Sequence, residues 1–191
     1  RYRTYWKNGG GITVSGGEPL LQIDFLLDLF KKAKAKGIHT TIDTAGGPFT
    51  REEPFFSKFQ ELMQYTDLLL VDIKHIDEKS HKELTGKTNK NILDMIRFLS
   101  DIKKPVWIRH VVVPDINDTP EDMEALNVFM KKIRFVDKVE LLGYHTMAVE
   151  KYGKLGITYR LKGVPPMDSA KLMELQKLIH KPAEAVTRMS L

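Results

Sequence analysis

The sequence predicts an α/β fold built on a parallel sheet, and three observations carry that expectation. Short β-branched runs alternate with segments whose apolar residues recur at helical spacing. The strand-like runs follow one another at intervals of roughly thirty residues, the size of a right-handed βαβ unit. Leu68 to Ile73 is a continuous apolar run, as a strand covered on both faces requires. A barrel, part of a barrel and a doubly wound sheet all satisfy this pattern.

The elements follow in order. RYRTYWKN, at the start, reads as the end of a helix whose beginning lies upstream, so further sequence before Arg1 is expected. The first strand, Ile12 to Val14, ends in a turn, Ser15-Gly16-Gly17, with Glu18 at its tip and Pro19 opening a helix. Leu21, Phe25, Leu29 and Ala33 recur at helical spacing up to Gly37, a C-terminal stop. The strand His39 to Asp43 and the loop AGGPFTREEP lead to a helix with Phe55, Phe59, Leu62 and Met63 on one face. After the strand Leu68 to Ile73, a helix from about Asn91 carries Ile92, Ile96 and Leu99. Val106 to Val113 is the fourth strand, interrupted by Arg109 and closed by Pro114. Asp115 and Asn117 imitate the start of a calcium loop, but Pro at 120 and Leu at 126 replace the glycine and glutamate such a loop needs. Thr119-Pro120-Glu121-Asp122 is instead a helix start, with Met123, Leu126, Met130 and Ile133 inward. Val139 to Leu142 is the fifth strand, ending at Tyr144-His145; a long loop, 146 to 167, precedes a last helix with Leu172, Leu175 and Ile179. The tail after Lys181 is expected to be disordered.

Composition bounds the function. The 191 residues, 42% hydrophobic and 29% charged, suit one globular domain. Neither a membrane-length apolar run nor a signal peptide is present, so a cytoplasmic protein without membrane partners is expected. The net charge of +5 is spread over the helices, and its densest run, KKAKAK at 31 to 36, ends a helix where cations suit the dipole, so nucleic acid is not an expected partner. There is no cysteine, which excludes disulfides and thiolate-held metals within these residues, and the six histidines form no zinc spacing.

Polar residues gather where the strands end: Glu18, Asp43, Asp72, Lys74 and His145. In a barrel they project from the C-terminal face, where such folds place their sites. Glu18 would repel a phosphate in the glycine turn, but it can pair with an ammonium group. Lys74 offers a cation, the aspartates accept hydrogen bonds from hydroxyls, and His145 can donate or stack. The set suits a zwitterionic ligand with hydroxyls, such as an α-amino acid joined to a ribose. Plainer readings stand beside this one. Asp72 and Lys74 can form a structural ion pair, His145 can be a satisfied loop histidine, and Arg109 needs a partner or a ligand wherever it points.

SGGEPLLQ, GIHTTIDT, DLLLVDIK, VWIRHVVVP and VELLGYH, in this order and spacing, resemble the radical S-adenosylmethionine family over roughly residues 5 to 180, and within it the activases of pyruvate formate-lyase. The resemblance implies a partial parallel (β/α) barrel, about five of the family's six βα units, over 1–180, with 181–191 as a tail. It implies that Gly16, Gly17 and Glu18 bind the methionyl amino group of S-adenosylmethionine. Asp43 and Thr44 fall near the methionyl carboxylate, where a monovalent cation can also be held. Asp72, Ile73 and Lys74 fall on the family's cofactor-contacting strand end, His145 on its later histidine, and Arg109 on a position facing the site. No side chain is implied as a catalytic acid or base. A 4Fe–4S cluster would supply an electron to the sulfonium, and the resulting radical would take a hydrogen atom from a glycine of pyruvate formate-lyase; flavodoxin or a similar protein would be the electron donor.

Two departures shape the expectations. The family's CxxxCxxC loop is absent, and Ala45 stands where Asn usually follows Asp-Thr. The 191-residue polypeptide is therefore expected to be catalytically inactive and to bind S-adenosylmethionine weakly, and the strand Ile12 to Val14 to present an unpaired edge. Activation of a different glycyl-radical enzyme, and a cluster-free barrel that binds peptides or regulates, are the alternatives.

Overall fold

The structure is a computed structural model that describes residues 3–6 and 10–180. The expected tail, 181–191, and parts of the opening segment lie outside the described residues. A single helical turn, α1 (Arg3–Trp6), precedes five strands: β1 (Gly11–Val14), β2 (His39–Thr44), β3 (Leu68–Asp72), β4 (Val106–Val112) and β5 (Val136–Gly143). All neighbours are parallel and the spatial order equals the chain order. Between them lie α2 (Ile23–Lys34), α3 (Phe55–Gln64), α4 (Glu78–Thr85), α5 (Lys90–Asp101) and α6 (Pro120–Met130), followed by α7 (Ala148–Lys154) and α8 (Ser169–Leu178). Five parallel strands in one sheet, each crossover carrying helix, form the expected partial barrel. Among the described residues β1 has a sheet partner on one side alone, β2.

The core lies between the sheet and the helices. Phe59 is fully buried, and its ring meets Phe49 at 5.1 Å, Phe55 at 5.8 Å and Phe98 at 5.9 Å between centroids. The loop before α3 thus contributes Phe49 to the centre. Helix α6 starts as its sequence requires: Thr119 accepts from the Asp122 amide and Asp122 accepts from that of Thr119.

Three details depart from expectation. Leu21 and Phe25 are 74% and 58% exposed, whereas Leu20, Ile23, Leu26, Phe30 and Ala33 are buried. Phe25 and Ala33 both lie within α2, and a stripe stepped every four residues drifts about 40° per step around a helix of 3.6 residues per turn, whereas the steps of three and four from Ile23 through Leu26 and Phe30 to Ala33 stay on the buried face. Second, α7 lies within the stretch 146 to 167 expected as a loop, and α4 is a helix where the sequence reading assigns no element. Third, β5 begins at Val136, three residues early. Its register against β4 shifts between Val106, opposite Val136, and Trp107, opposite Lys138, a bulge that interrupts the alternation on which the sequence reading depended.

Candidate functional site

Strand pleating sorts the site from the core. Ile42, Leu69, Val71, Ile108 and Val112 are buried beneath the helices, and the residues between them face the other side of the sheet. On that open face Asp72 lies in register with Arg109, and Asp43 is one strand away on β2. Arg109 donates from Nε to Asp72 at 2.9 Å and from both terminal nitrogens to Asp43. Lys74, just past β3, donates to the other Asp72 oxygen at 2.7 Å. Two acids and two bases therefore form one neutral chain across three strand ends. Burial alone would lower the Arg109 pKa, but Asp72 and Asp43 outweigh it and hold the value above the ordinary one. Arg109 thus points to the open face and finds partners there, and the Asp72–Lys74 ion pair is real.

Glu18 is fixed from the opposite side. Its Oε1 accepts from the Leu20 amide at 3.1 Å and from the Thr44 hydroxyl at 2.5 Å; Oε2 accepts from the Ala45 amide at 3.0 Å. Thr44 is 2% exposed and its Oγ1 also accepts from the Gly46 amide, so Thr44 orients Glu18 and keeps its own hydroxyl inside. One lone pair of Oε2 remains for a ligand. Beside it, Gly16 and Gly17 are exposed with φ of 96° and 53°, and a Cβ on either would meet no atom within 4 Å. Backbone conformation, not crowding, requires glycine there, and the open turn leaves room for a ligand.

The remaining expected residues fall into place differently. The Ile73 side chain is 1% exposed on the helix side, while its amide donates to the Arg109 carbonyl at 2.8 Å; it serves the site through its backbone. His145 follows β5 on the same rim and is exposed. Asp43, the residue suggested for a monovalent cation, already has both oxygens on Arg109, and among the described residues no group of three histidine or acidic side chains could hold a metal.

Two cavities open at this rim and share Lys74 and Thr85. One, of about 490 Å³, is lined by Val111, Tyr144, Tyr152 and Tyr159; the other, of about 470 Å³, by Ala45, Gly47, His81 and Asn91. Each is large enough for a small-molecule ligand.

Sequence reasoning missed the buried polar side chains behind the rim. His110 is 2% exposed, and burial pushes its pKa down to about 4 against the opposing pull of its hydrogen bond to the Ile73 carbonyl. Asn117, passed over as a calcium ligand, is fully buried beside it. The available signal was parity, since Val106, Ile108 and Val112 define an apolar face of β4 on which His110 is the exception.

The sequence and the fold have known relatives. Residues 1–126 match the Radical SAM superfamily. The chain is 48% identical over 180 residues to the "Pyruvate formate-lyase-activating enzyme" of Streptococcus mutans, covering 94% of this chain and 68% of that protein. A protein of the same name from Staphylococcus epidermidis is 49% identical, covering 94% and 72%, and one from Listeria monocytogenes is 48% identical, covering 86% and 66%. The chain thus spans about two thirds of the length of these relatives. Among solved structures, a domain of pyruvate-formate lyase-activating enzyme from Bacteroides vulgatus superposes with a TM-score of 0.70 at 25% identity, covering 90% of this chain and 93% of that one. Streptococcus suis SuiB bound to its precursor peptide SuiA shares the fold, with a TM-score of 0.65 at 21% identity over 93% of this chain and 36% of that one.

Proposed function

The chain belongs to the radical S-adenosylmethionine superfamily, and from that membership we propose that it forms the S-adenosylmethionine-binding barrel of a pyruvate formate-lyase activase. The carrying observation is the polar set at the strand ends: a turn ending in Glu18, followed by Asp43, Asp72, Lys74 and Arg109. Its chemistry fits the ligand. The free Oε2 lone pair of Glu18 and the turn carbonyls would take the methionyl ammonium, Lys74 the carboxylate, and the aspartates the ribose hydroxyls. When bound, S-adenosylmethionine and an electron from a 4Fe–4S cluster supply a carbon radical able to abstract hydrogen from a glycine.

This chain's part is to hold and orient. Glu18, anchored on Thr44 and Ala45, and Lys74 fix the amino-acid end, and the aspartates fix the ribose end, so that the reacting carbon faces the barrel mouth. Lys74 must turn part of its hydrogen bonding from Asp72 to the incoming carboxylate. The 191 residues offer no thiolate to a cluster and do not themselves ligate one through cysteine. Residues 1–180 are the barrel in this reading, the protein works in the cytoplasm, and a flavodoxin-like protein supplies the electron. A glycine-bearing loop of pyruvate formate-lyase would enter beside the exposed segment that includes Met147, Tyr152, Leu155 and Ile157.

The test is electron paramagnetic resonance of pyruvate formate-lyase incubated anaerobically with S-adenosylmethionine, a one-electron reductant and the protein purified from its source. A glycyl-radical signal with the native protein, absent with the cysteine-free 191-residue polypeptide, is expected. No signal from the native protein loaded with iron and sulfide would refute the reading.

A further inference from the structure

Residues 73 to 76 run from the end of β3 toward α4 in neither strand nor helix, yet Ile73 and His75 are 1% and 8% exposed. A buried irregular segment needs partners for its carbonyls. Four consecutive ones are met by side chains. His110 Nδ1 donates to the Ile73 carbonyl at 2.7 Å, Asn117 Nδ2 to that of Lys74 at 2.9 Å, and Asn89 Nδ2 to those of His75 and Ile76 at 3.0 and 2.7 Å. The three donors, His110, Asn117 and Asn89, are 2%, 0% and 2% exposed.

The partners fix the orientation of each group. Asn117 Oδ1 accepts from the Val113 amide at 2.6 Å, so the oxygen is assigned. Its Nδ2 also serves the Val111 carbonyl at 2.9 Å and faces His110 Nε2 at 3.3 Å. That nitrogen carries the lone pair, because Nδ1 gives its proton to the Ile73 carbonyl. His110 and Asn117 therefore form one hydrogen-bonded unit tying β4 and the loop after it to the backbone that carries Lys74.

We propose that Asn117, His110 and Asn89 are positioning residues for the S-adenosylmethionine site, holding the segment after β3 so that Lys74 and Asp72 keep their place on the rim; this rests on the function proposed above. His110 and Asn117 act from the buried side of the sheet, and Asn89 from the start of α5. Losing a brace frees a carbonyl to turn, and Lys74 Nζ, at the far end of a long side chain, magnifies the displacement.

The test pairs calorimetric titration of S-adenosylmethionine with hydrogen exchange read by mass spectrometry, on the wild type and Asn117→Ala. The variant is expected to bind about tenfold more weakly, within the cost of leaving a buried carbonyl without its donor, and to exchange faster in peptides covering 73 to 77 while β1 and β2 stay protected. Faster exchange throughout the protein marks a merely structural role and overturns the proposal. Local loosening with unchanged affinity, or lost affinity with unchanged exchange, overturns it equally. If Asn117→Ala does not fold, Asn89→Ser, which loosens only the His75 and Ile76 carbonyls, is held to the same criteria. A wild type that binds no S-adenosylmethionine refutes the functional reading, and the proposal with it. That outcome is distinct from a wild type that binds and a variant that binds equally well.

Discussion

The two faces of the one sheet are made by alternate residues of the same strands, and they are held by different forces. On the helix side, Ile42, Leu69, Val71, Ile108 and Val112 are fully buried and stabilise by removing apolar surface from water. On the open side, Asp43, Asp72, Arg109 and Lys74 are partly exposed and stabilise one another by charge, each costly to bury alone. The first face sets the fold and tolerates repacking. The second, in the function proposed above, sets a ligand geometry and depends on particular atoms. Changes to the apolar residues of the first are therefore expected to alter stability without altering affinity per folded molecule, and changes on the second to alter affinity more than stability.

The largest expected effect lies in the core. Phe59→Ala, which removes the centre of the aromatic cluster, is expected to lower unfolding stability by about 4 kcal/mol in a urea titration. Ligand affinity of the molecules that remain folded should be unchanged; a parallel loss of affinity would break the contrast.

His110 is the polar exception on the covered face, and pH probes it. Its folded-state pKa, about 4, lies below the ordinary 6.5, so the unfolded chain takes up the proton first as pH falls. Its contribution is intact above pH 6.5, declines through the interval, and is fully lost below about 4. The wild type is expected to lose about 3 kcal/mol more than His110→Gln across that window in denaturant titrations at stepped pH. Parallel pH profiles for the two proteins would show that His110 is not buried as a neutral group.

At the strand ends around the site the stability effects are smaller. Arg109→Met leaves Asp43 and Asp72 without their shared cation, and partial exposure holds the expected cost to about 2 kcal/mol, with ligand affinity falling much further in proportion. Thr44→Val keeps the shape but removes the hydroxyl between Glu18 and the Gly46 amide. It is expected to cost about 1 kcal/mol in stability, while calorimetry shows weakened ligand binding. Loss of stability with no change in binding in either variant would place these residues with the scaffold.

What the sequence made legible follows the same division. The alternation of strands and helices, the faces of α3, α5 and α6, and the strand-end residues Glu18, Asp43, Asp72, Lys74 and Arg109 were readable because each is a local pattern. Helix α4 was not, since EKSHKELT buries His81 and half-buries Leu84 in an otherwise charged stretch that has no apolar stripe. The face of α2 was not, because a stripe stepped every four residues drifts off a helix of 3.6 residues per turn. The braces behind the rim were hidden for another reason. Asn117 meets Lys74 across 43 residues and Thr44 meets Glu18 across 26, and no local pattern encodes a hydrogen bond between residues so far apart.

The central claim is that the open-face rim is a site for S-adenosylmethionine. Calorimetric titration of that compound into the 191-residue protein and into Glu18→Gln tests it most directly, with thermal melting as the check on folding. Weak but saturable one-to-one binding to the wild type, lost in a Glu18→Gln protein that still melts cooperatively, is the expected result. Indistinguishable heats from the two proteins would contradict it.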